Sequence, residues 1–227
     1  VAMPVILYDA RAVSKPLWPG LSPDEERERI LLALEAHRNI RPWAKPFFEY
    51  NDENQKGFYE STDAKALALG GHKSGKTYSA AMLFCAWNEG EHPTLKRPRG
   101  VMQFWIGGPT HDHHTETTRR VYEACFPKLA DGRPRAQWHQ AQNRYVLFDS
   151  AMREVMATFA FKSYEADRDK FQGGDCHGIH LDETPPYDIY SECKPRLWRL
   201  GGIMRLTLTP VESKLMPRQT SRLMCCL

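Results

Sequence analysis

The apolar positions of this 227-residue chain fall into short runs of strand length, separated by longer segments with helical composition. The predicted strands are residues 66–69, 101–106, 144–148, 154–161, 178–182 and 203–210. The predicted helices of this region are residues 77–87, 113–126 and 187–200, the last interrupted at Pro195. Strands that alternate with helices are typical of a parallel sheet with crossover helices, and only the pair 144–148 and 154–161 is predicted to form a hairpin. The pattern indicates an α/β fold with a mainly parallel central sheet flanked by helices.

The N-terminal region has a different pattern. Residues 1–20 carry three prolines and are predicted to form an irregular arm. A capping box at residues 22–25, with proline at the first helical position, predicts a helix that runs to about residue 39. Its packed face is expected to carry three apolar residues, Ile30, Leu31 and Leu34. We therefore divide the chain into an N-terminal arm and helix, residues 1–45, and a larger domain, residues 46–227.

The composition excludes some classes of protein and leaves others open. No stretch approaches the ~18 apolar residues of a membrane-spanning helix, and no signal-peptide pattern opens the chain, so no membrane association is expected. The six cysteines show no C-x-x-C spacing, which favours free thiols in a reducing cytoplasm. The net charge of +3 permits a nucleic-acid partner without requiring one.

A glycine-rich motif follows the strand predicted at residues 66–69 and precedes the helix predicted at residues 77–87. It reads G-x-x-x-x-G-K-T and comprises Gly70, Gly71, His72, Lys73, Ser74, Gly75, Lys76 and Thr77. A strand, a glycine turn and a helix N-terminus form a phosphate-binding loop, because free backbone N–H groups and the positive end of the helix dipole face an anion. In this motif the lysine reaches the β- and γ-phosphates, and the threonine hydroxyl binds Mg²⁺. We expect Lys76 and Thr77 to have those roles.

Two adjacent carboxylates, Asp182 and Glu183, end the predicted strand 178–182, far along the chain from Lys76. An Asp at the end of a strand near a phosphate loop can hold Mg²⁺ through water, and the next residue can polarise a water for attack on the γ-phosphate. An ordinary acidic turn is the alternative. Thr207 and Thr209 place hydroxyls near the end of the last strand, where they can sense the γ-phosphate, although threonine is also an ordinary strand residue.

Two further polar features each have a structural and a functional interpretation. The Gln55 amide can both donate to and accept from an adenine edge, and the alternative is a solvated loop glutamine. The run 111–114, His-Asp-His-His, suggests a metal site, but consecutive residues between a strand and a helix cannot all point at one ion. We therefore favour a polar N-terminal cap for the following helix.

Several ordered motifs resemble the ATPase half of the terminase large subunit, the DNA-packaging motor of tailed bacteriophages. They are residues 162–173 (KSYEADRDKFQG), 181–183 (LDE) and 206–210 (LTLTP), and residues 55–58 (QKGF) are similar to the family's adenine-contacting glutamine motif. The likeness covers about residues 50–212. It implies a P-loop NTPase fold of the additional-strand (ASCE) type, with an ATPase domain at residues 46–227 that uses ATP and Mg²⁺.

The resemblance also implies a role for each residue of the site. Lys76 and Thr77 would hold phosphates and Mg²⁺, with the rest of the glycine motif and Gln55 around the nucleotide. Asp182 would hold Mg²⁺, and Glu183 would activate the attacking water.

The coupling residues and the partners are implied in the same way. Thr207 and Thr209 match the motif that couples hydrolysis to movement. An arginine from a neighbouring subunit often completes such sites, and Arg168 is the first candidate and Arg144 the second. The resemblance implies a homo-oligomeric ring at the portal of an empty capsid in the host cytoplasm. Its partners would be double-stranded DNA, the portal protein and the small terminase subunit.

The chain departs from the family pattern in two places. The family usually has Arg four residues before the loop lysine, whereas this chain has His72 there with Lys73 beside it, so the usual charge is displaced or supplied elsewhere. Full-length members also continue into an RNase H-like nuclease domain. We expect no such domain here, and no nuclease activity or nuclease metal pair.

Three functions stay open at this point. The leading one is a DNA-translocating ATPase, in which the basic segments 96–99 and 133–135 touch DNA phosphates; solvated loops are the alternative for both, and residues 128–142 are predicted to be a polar loop. A small-molecule P-loop kinase suits the chain length, but water activation by Asp182 and Glu183 would waste ATP. A non-hydrolysing nucleotide-binding scaffold is favoured by His180 within a strand and by the altered loop residue.

Overall fold

The computed structural model describes residues 22–40, 53–165 and 168–210. Its helices in chain order are α1 (Pro23–Ile40), α2 (Glu53–Glu60), α3 (Lys76–Glu89), α4 (His111–His113), α5 (Arg119–Cys125) and α6 (Tyr187–Trp198). Its strands are β1 (Lys65–Leu69), β2 (Met102–Gly108), β3 (Ala136–His139), β4 (Arg144–Phe148), β5 (Val155–Ser163), β6 (Gly178–Asp182) and β7 (Ile203–Leu208). A π-helical turn, His114–Thr118, joins α4 to α5. The predicted arm and the proposed domain boundary at residue 45 lie outside the described residues.

The seven strands form one sheet in the order β1-β7-β6-β2-β5-β4-β3. The first five strands in that order run parallel, and β4 and β3 run antiparallel to them. Strand β7 therefore lies between β1 and β6. The carboxyl ends of the parallel strands meet at one edge of the sheet, where ligands bind in open α/β folds. The predicted mainly parallel α/β sheet and the β4–β5 hairpin are confirmed.

Strand pleating sends alternate residues of β6 into two apolar cores on opposite faces of the sheet. On one face, Phe84 of α3 stacks on Phe104 of β2, which stacks on Phe159 of β5, with ring centroids 5.0 and 4.6 Å apart. On the other face, Ile179 and Leu181 pack in a core that includes residues of α6 and β7. Helix α3 is apolar on all sides because α2, α5 and β7 all contact it.

Two elements differ from the sequence prediction. Strand β3 lies inside residues 128–142, which were predicted to be a loop, and it pairs with β4 at the edge of the sheet. Helix α2 covers the polar segment that was predicted to be irregular. It forms because Phe58 and Tyr59 are buried, at 3% and 2% exposure, where α2 packs on α3 and β1.

Helix α1 begins as the capping box predicts. The Ser22 backbone N–H donates to the Glu25 carboxylate at 2.8 Å, and the Glu25 N–H donates back to Ser22 Oγ at 3.4 Å. The predicted packed face is wrong at Leu31, which is 57% exposed. The chain divides into two compact units, Val1–His37 and Arg38–Leu227. No helix among the described residues is both long enough and apolar enough to span a membrane.

Candidate active site

The glycine motif forms a tight loop between β1 and the first residue of α3. Gly75 has φ 81°, in the left-handed region that glycine adopts without strain, and α3 begins at the next residue. A side chain at position 70 would also clash, since its Cβ would lie 2.8 Å from Ser74 Oγ. The Lys76 ammonium donates to the carbonyl oxygens of Gly70 and Gly71 at 2.7 and 2.8 Å. The lysine therefore lies over its own loop, and His72 and Lys73 are exposed at the turn.

The loop meets β6 although more than 100 residues separate them in the chain. The Thr77 hydroxyl donates to Asp182 Oδ1 at 3.0 Å. The sheet order explains this contact, because only β7 separates β1 from β6 and both strands end at the same edge. The Gly70 N–H also donates to the carbonyl of Leu208, which ties the loop to the end of β7. The predicted convergence of the phosphate loop and the acidic pair is therefore present in the fold.

Asp182 is the most heavily hydrogen-bonded group of the site. Thr77 and Thr207 donate to Oδ1, the second at 2.6 Å, while Thr118 Oγ1 and His113 Nε2 lie 2.8 and 3.3 Å from Oδ2. These four contacts match the acceptor capacity of a carboxylate. Burial by itself raises the pKa of Asp182, but the hydrogen bonds from His113, Thr207 and Thr118 outweigh it and hold the pKa well below its ordinary value. Asp182 is therefore ionised although it is only 3% exposed.

Glu183 follows in a strained backbone conformation, with φ 61°, which is rare for a residue with a side chain. Its N–H donates to the Thr207 carbonyl at 2.8 Å. Thr209 holds its carboxylate at both oxygens, through the hydroxyl at 2.8 Å and the backbone N–H at 3.2 Å. Thr207 and Thr209 thus contact one carboxylate each, so β7 links the acidic pair residue by residue.

The run 111–114 behaves as the favoured cap interpretation predicts. The helix begins at His111, and Thr110 Oγ1 accepts a hydrogen bond from the His113 N–H at 2.9 Å. The next two imidazoles serve different partners, since His113 contacts Asp182 and His114 Nε2 lies 3.0 Å from the Lys162 carbonyl. Sequence reasoning missed both His113 and Thr118 as neighbours of Asp182. The histidine run was the only signal, and it does not indicate which side chain reaches the carboxylate.

The oxygen donors at Thr77 and Asp182 fit Mg²⁺. A hydroxyl and a carboxylate are the hard oxygen ligands that this ion prefers, and it usually takes one or two protein ligands together with waters and substrate phosphates. Within residues 22–40, 53–165 and 168–210, no group of three or more His, Cys, Asp or Glu side chains could hold a metal ion. A magnesium site with few protein ligands is therefore the type that these residues support.

The remaining predicted site residues lie apart from this cluster or are only partly described. Gln55 lies in α2, which packs on α3 and β1, so it belongs to a helix and not to a loop. Arg168 begins a 3-10 turn, Arg168–Phe171, and its side chain lies outside the description. Arg144 begins β4, and four strands separate it from β1. The roles proposed for these three residues stay predictions.

The two basic segments are partly used inside the fold, which corrects the predicted DNA contacts. Arg135 is 7% exposed and forms an ion pair with Glu89, at 2.8 Å between Nη1 and Oε2. Arg97 donates to four backbone carbonyl oxygens, including those of Asn88 and Met156. Neither guanidinium is free for a DNA phosphate. The exposed cations of these segments are Lys96, Arg99 and Arg133.

A phosphate loop after β1, a carboxylate pair after β6 and a strand inserted between them define a P-loop NTPase fold of the additional-strand type. Residues 67–213 match the family described as terminase large subunit, T4likevirus-type, N-terminal, so the chain belongs to the terminase large subunit family.

Individual relatives agree with this assignment. The large terminase subunit of Salmonella phage P22 is 24% identical over 230 residues, which cover 83% of this chain and 44% of that protein. The ATPase domain of the large terminase of Thermus phage P74-26, solved as a point mutant, aligns with a TM-score of 0.54 and 21% identity, covering 77% of this chain and 72% of that one. The large terminase of a thermophilic bacteriophage aligns at 0.56 and 15%, covering 70% and 39%. The chain thus spans less than half the length of the P22 protein.

Proposed function

We propose that this chain is the ATP-hydrolysing motor part of a large terminase, which moves double-stranded viral DNA into a procapsid. Membership of the family supports the packaging role in general. The observation that carries the hydrolytic part is the 3.0 Å hydrogen bond from Thr77 to Asp182, because it joins the phosphate loop to the acidic pair. Without that junction, a glycine loop and an acidic turn would be two unrelated local features.

The phosphate loop would hold the triphosphate of ATP. Its backbone N–H groups and the N-terminus of α3 attract an anion, and the Lys76 ammonium would exchange the carbonyls of Gly70 and Gly71 for β- and γ-phosphate oxygens. Thr77 and Asp182 would hold Mg²⁺, which when bound neutralises charge on the phosphates. Gln55 would contact the adenine from α2.

Glu183 would accept a proton from the attacking water. Its carboxylate is half-buried at the end of β6 and is fixed by Thr209, so it is preorganised. This arrangement favours water over a small-molecule acceptor. An arginine of a neighbouring subunit, with Arg168 as the first candidate and Arg144 as the second, would neutralise charge in the transition state.

The coupling of hydrolysis to movement would begin at β7. Thr207 and Thr209 each hold one carboxylate of the acidic pair, so a change at either one alters a hydrogen bond of this strand. The partners would be duplex DNA, the portal protein and the small terminase subunit, with the subunits in a ring at the portal in the host cytoplasm. Exposed Lys96, Arg99 and Arg133 remain candidate contacts to DNA phosphates, which need carry no base specificity.

Phosphate release from Mg²⁺-ATP, measured with and without duplex DNA, tests this function. Wild type should turn over ATP, and Glu183→Gln should lose at least about 100-fold in kcat, because a positioned general base contributes that much, while still binding ATP. Glu154→Gln is the matched control, since Glu154 is exposed beyond the far end of the hairpin. Equal turnover by Glu183→Gln and wild type would contradict the mechanism and favour a non-hydrolysing scaffold.

A further inference from the structure

His180 interrupts the apolar pattern of β6 and is completely buried. Its Nδ1 lies 3.0 Å from the Tyr122 hydroxyl, and its Nε2 lies 2.8 Å from Thr207 Oγ1, which in turn lies 2.6 Å from Asp182 Oδ1. Tyr122, His180 and Thr207 each have an exposed fraction of 0%. Buried polar groups require hydrogen-bond partners within the fold, and here each supplies the next. We call these three residues the Asp182 relay; it connects α5, β6 and β7 to the carboxylate.

The direction of every hydrogen bond in the relay follows from the carboxylate at its end. An ionised carboxylate only accepts, so the Thr207 hydroxyl donates its single proton to Asp182. The Thr207 oxygen then accepts from His180, which places an imidazole proton on Nε2. Burial lowers the pKa of His180 to about 4, so the ring is neutral and Nδ1 accepts the proton of Tyr122. Burial also raises the pKa of Tyr122 well above its ordinary value, which keeps that phenol a donor.

The helical segment that carries Tyr122 reaches Asp182 at two other points, through His113 and Thr118. Residues five apart in an α-helix point about 140° away from each other, so an unbroken helix would separate these two side chains. The π-helical turn His114–Thr118 inserts the extra residue that brings both to the same carboxylate oxygen. Thr118 and Tyr122, four residues apart, then share one face. Such π-turns are frequent at functional sites.

We propose that His180 and Tyr122 are positioning residues of the ATPase site. They hold the Thr207 hydroxyl with its proton on Asp182, and thereby link the helical segment His111–Cys125 to the coupling strand β7. A displacement of Asp182 or of β7 breaks a bond of the relay and is felt at Tyr122. The inference rests on the proposed function for its kinetic consequences, but the tautomer and the bond directions do not depend on hydrolysis.

Histidine side-chain ¹⁵N spectroscopy at pH 7 tests the relay without any turnover. The His180 resonances, assigned by their loss in His180→Gln, should show a single neutral tautomer with the proton on Nε2. In Tyr122→Phe, which removes one oxygen and keeps the ring, the Nδ1 resonance should move toward that of an unbonded nitrogen. An imidazolium, a proton on Nδ1, or no response to Tyr122→Phe would overturn the inference.

Steady-state ATP hydrolysis tests the positioning role. His180→Leu should lower kcat about five- to tenfold, and Tyr122→Phe about two- to fivefold, with KM for ATP changed less than about twofold. His180→Gln, whose amide can donate from near the Nε2 position, should retain more activity than His180→Leu. In a Thr207→Val background, His180→Leu should cost less than about a further twofold, because its effect passes through the missing hydroxyl. Fully additive losses would contradict the relay.

Two matched controls separate positioning from general loss of packing. His92 is a buried histidine whose Nε2 and Nδ1 are both hydrogen-bonded, but its partners are backbone groups and Thr94 and not Asp182. Tyr145 is a buried tyrosine bonded to Glu123. His92→Leu and Tyr145→Phe should keep wild-type kcat, and losses equal to those of the relay variants would reduce the relay to a core contact.

The outcomes also distinguish this inference from the proposed function. If wild type hydrolyses ATP, Glu183→Gln does not, and all relay variants match wild type, the relay alone fails. If wild type and Glu183→Gln both release no phosphate, the proposed function fails, and the ¹⁵N spectra still decide whether the relay exists.

Discussion

Thr209 holds the Glu183 carboxylate at both oxygens, with its hydroxyl 2.8 Å from Oε1 and its backbone N–H 3.2 Å from Oε2. The backbone contact survives any substitution at position 209, whereas the hydroxyl contact needs Thr or Ser. Thr209→Val should therefore lower kcat for ATP hydrolysis about tenfold, the usual cost of losing a hydrogen bond to a charged group. KM for ATP should stay unchanged, because the contact orients the proposed base and not the nucleotide.

Thr209→Ser is the matched control for that change, since it restores the hydroxyl and removes only a methyl group. It should recover most of the wild-type kcat. A Ser variant as slow as the Val variant would show that the hydroxyl does not orient Glu183.

Lys76 should determine nucleotide affinity. Its ammonium donates to loop carbonyls 2.7 and 2.8 Å away and is placed to exchange them for phosphate oxygens. Lys76→Ala should weaken binding of a fluorescent ATP analogue about 10- to 100-fold, the range for charge-assisted hydrogen bonds. Lys96→Ala, at an exposed lysine beyond α3, should bind as wild type does. Equal affinity in the two variants would remove Lys76 from the proposed site.

The Glu89–Arg135 ion pair should stabilise the fold and have no role in DNA binding. Both side chains are about nine-tenths buried, so Arg135→Ala leaves a buried carboxylate without its cation. Urea unfolding should show a loss of about 3–5 kcal/mol in the free energy of unfolding. Arg133→Ala, two residues away and exposed, should change it by no more than about 0.5 kcal/mol. Similar losses in both variants would contradict a structural role specific to Arg135.

His92 should make stability depend on pH. Burial lowers its pKa to about 4, because the ring is neutral with Nε2 against the Tyr59 carbonyl and Nδ1 accepting backbone N–H groups. The unfolded chain, with a histidine pKa near ~6.5, binds more protons between about pH 6.5 and pH 4, so the free energy of unfolding falls as pH falls through that window. The contribution is fully present above about pH 6.5, and at most about 3 kcal/mol is lost by pH 4.

The measurement is urea unfolding at intervals between pH 7 and pH 4.5. His92→Gln should be less stable than wild type at pH 7 but should lose less stability on acidification. Its slope should not vanish, because burial also lowers the pKa of His180. An unchanged slope would mean that His92 is not protonated on unfolding.

Most strands could be predicted because their signal is local. Runs such as 66–69 and 203–208 are apolar over a strand length, and burial on both faces of a central sheet requires that composition. Strand β3 was missed because an edge strand needs only part of that pattern, and its pairing with β4 supplies the rest. Helix α2 was missed for the same reason, since two of its eight residues, Phe58 and Tyr59, anchor an otherwise polar segment.

The sequence by itself determined the spelling of the phosphate loop, the acidic pair and the threonines of β7. These features depend on backbone preferences and residue chemistry over a few positions. Only the tertiary structure decided that His113, Thr118 and the Asp182 relay meet at one carboxylate. Those contacts span 25 to 69 residues and depend on strand order, register and one inserted residue in a π-turn. A local pattern specifies none of these, because the free energy that selects them comes from packing the whole sheet.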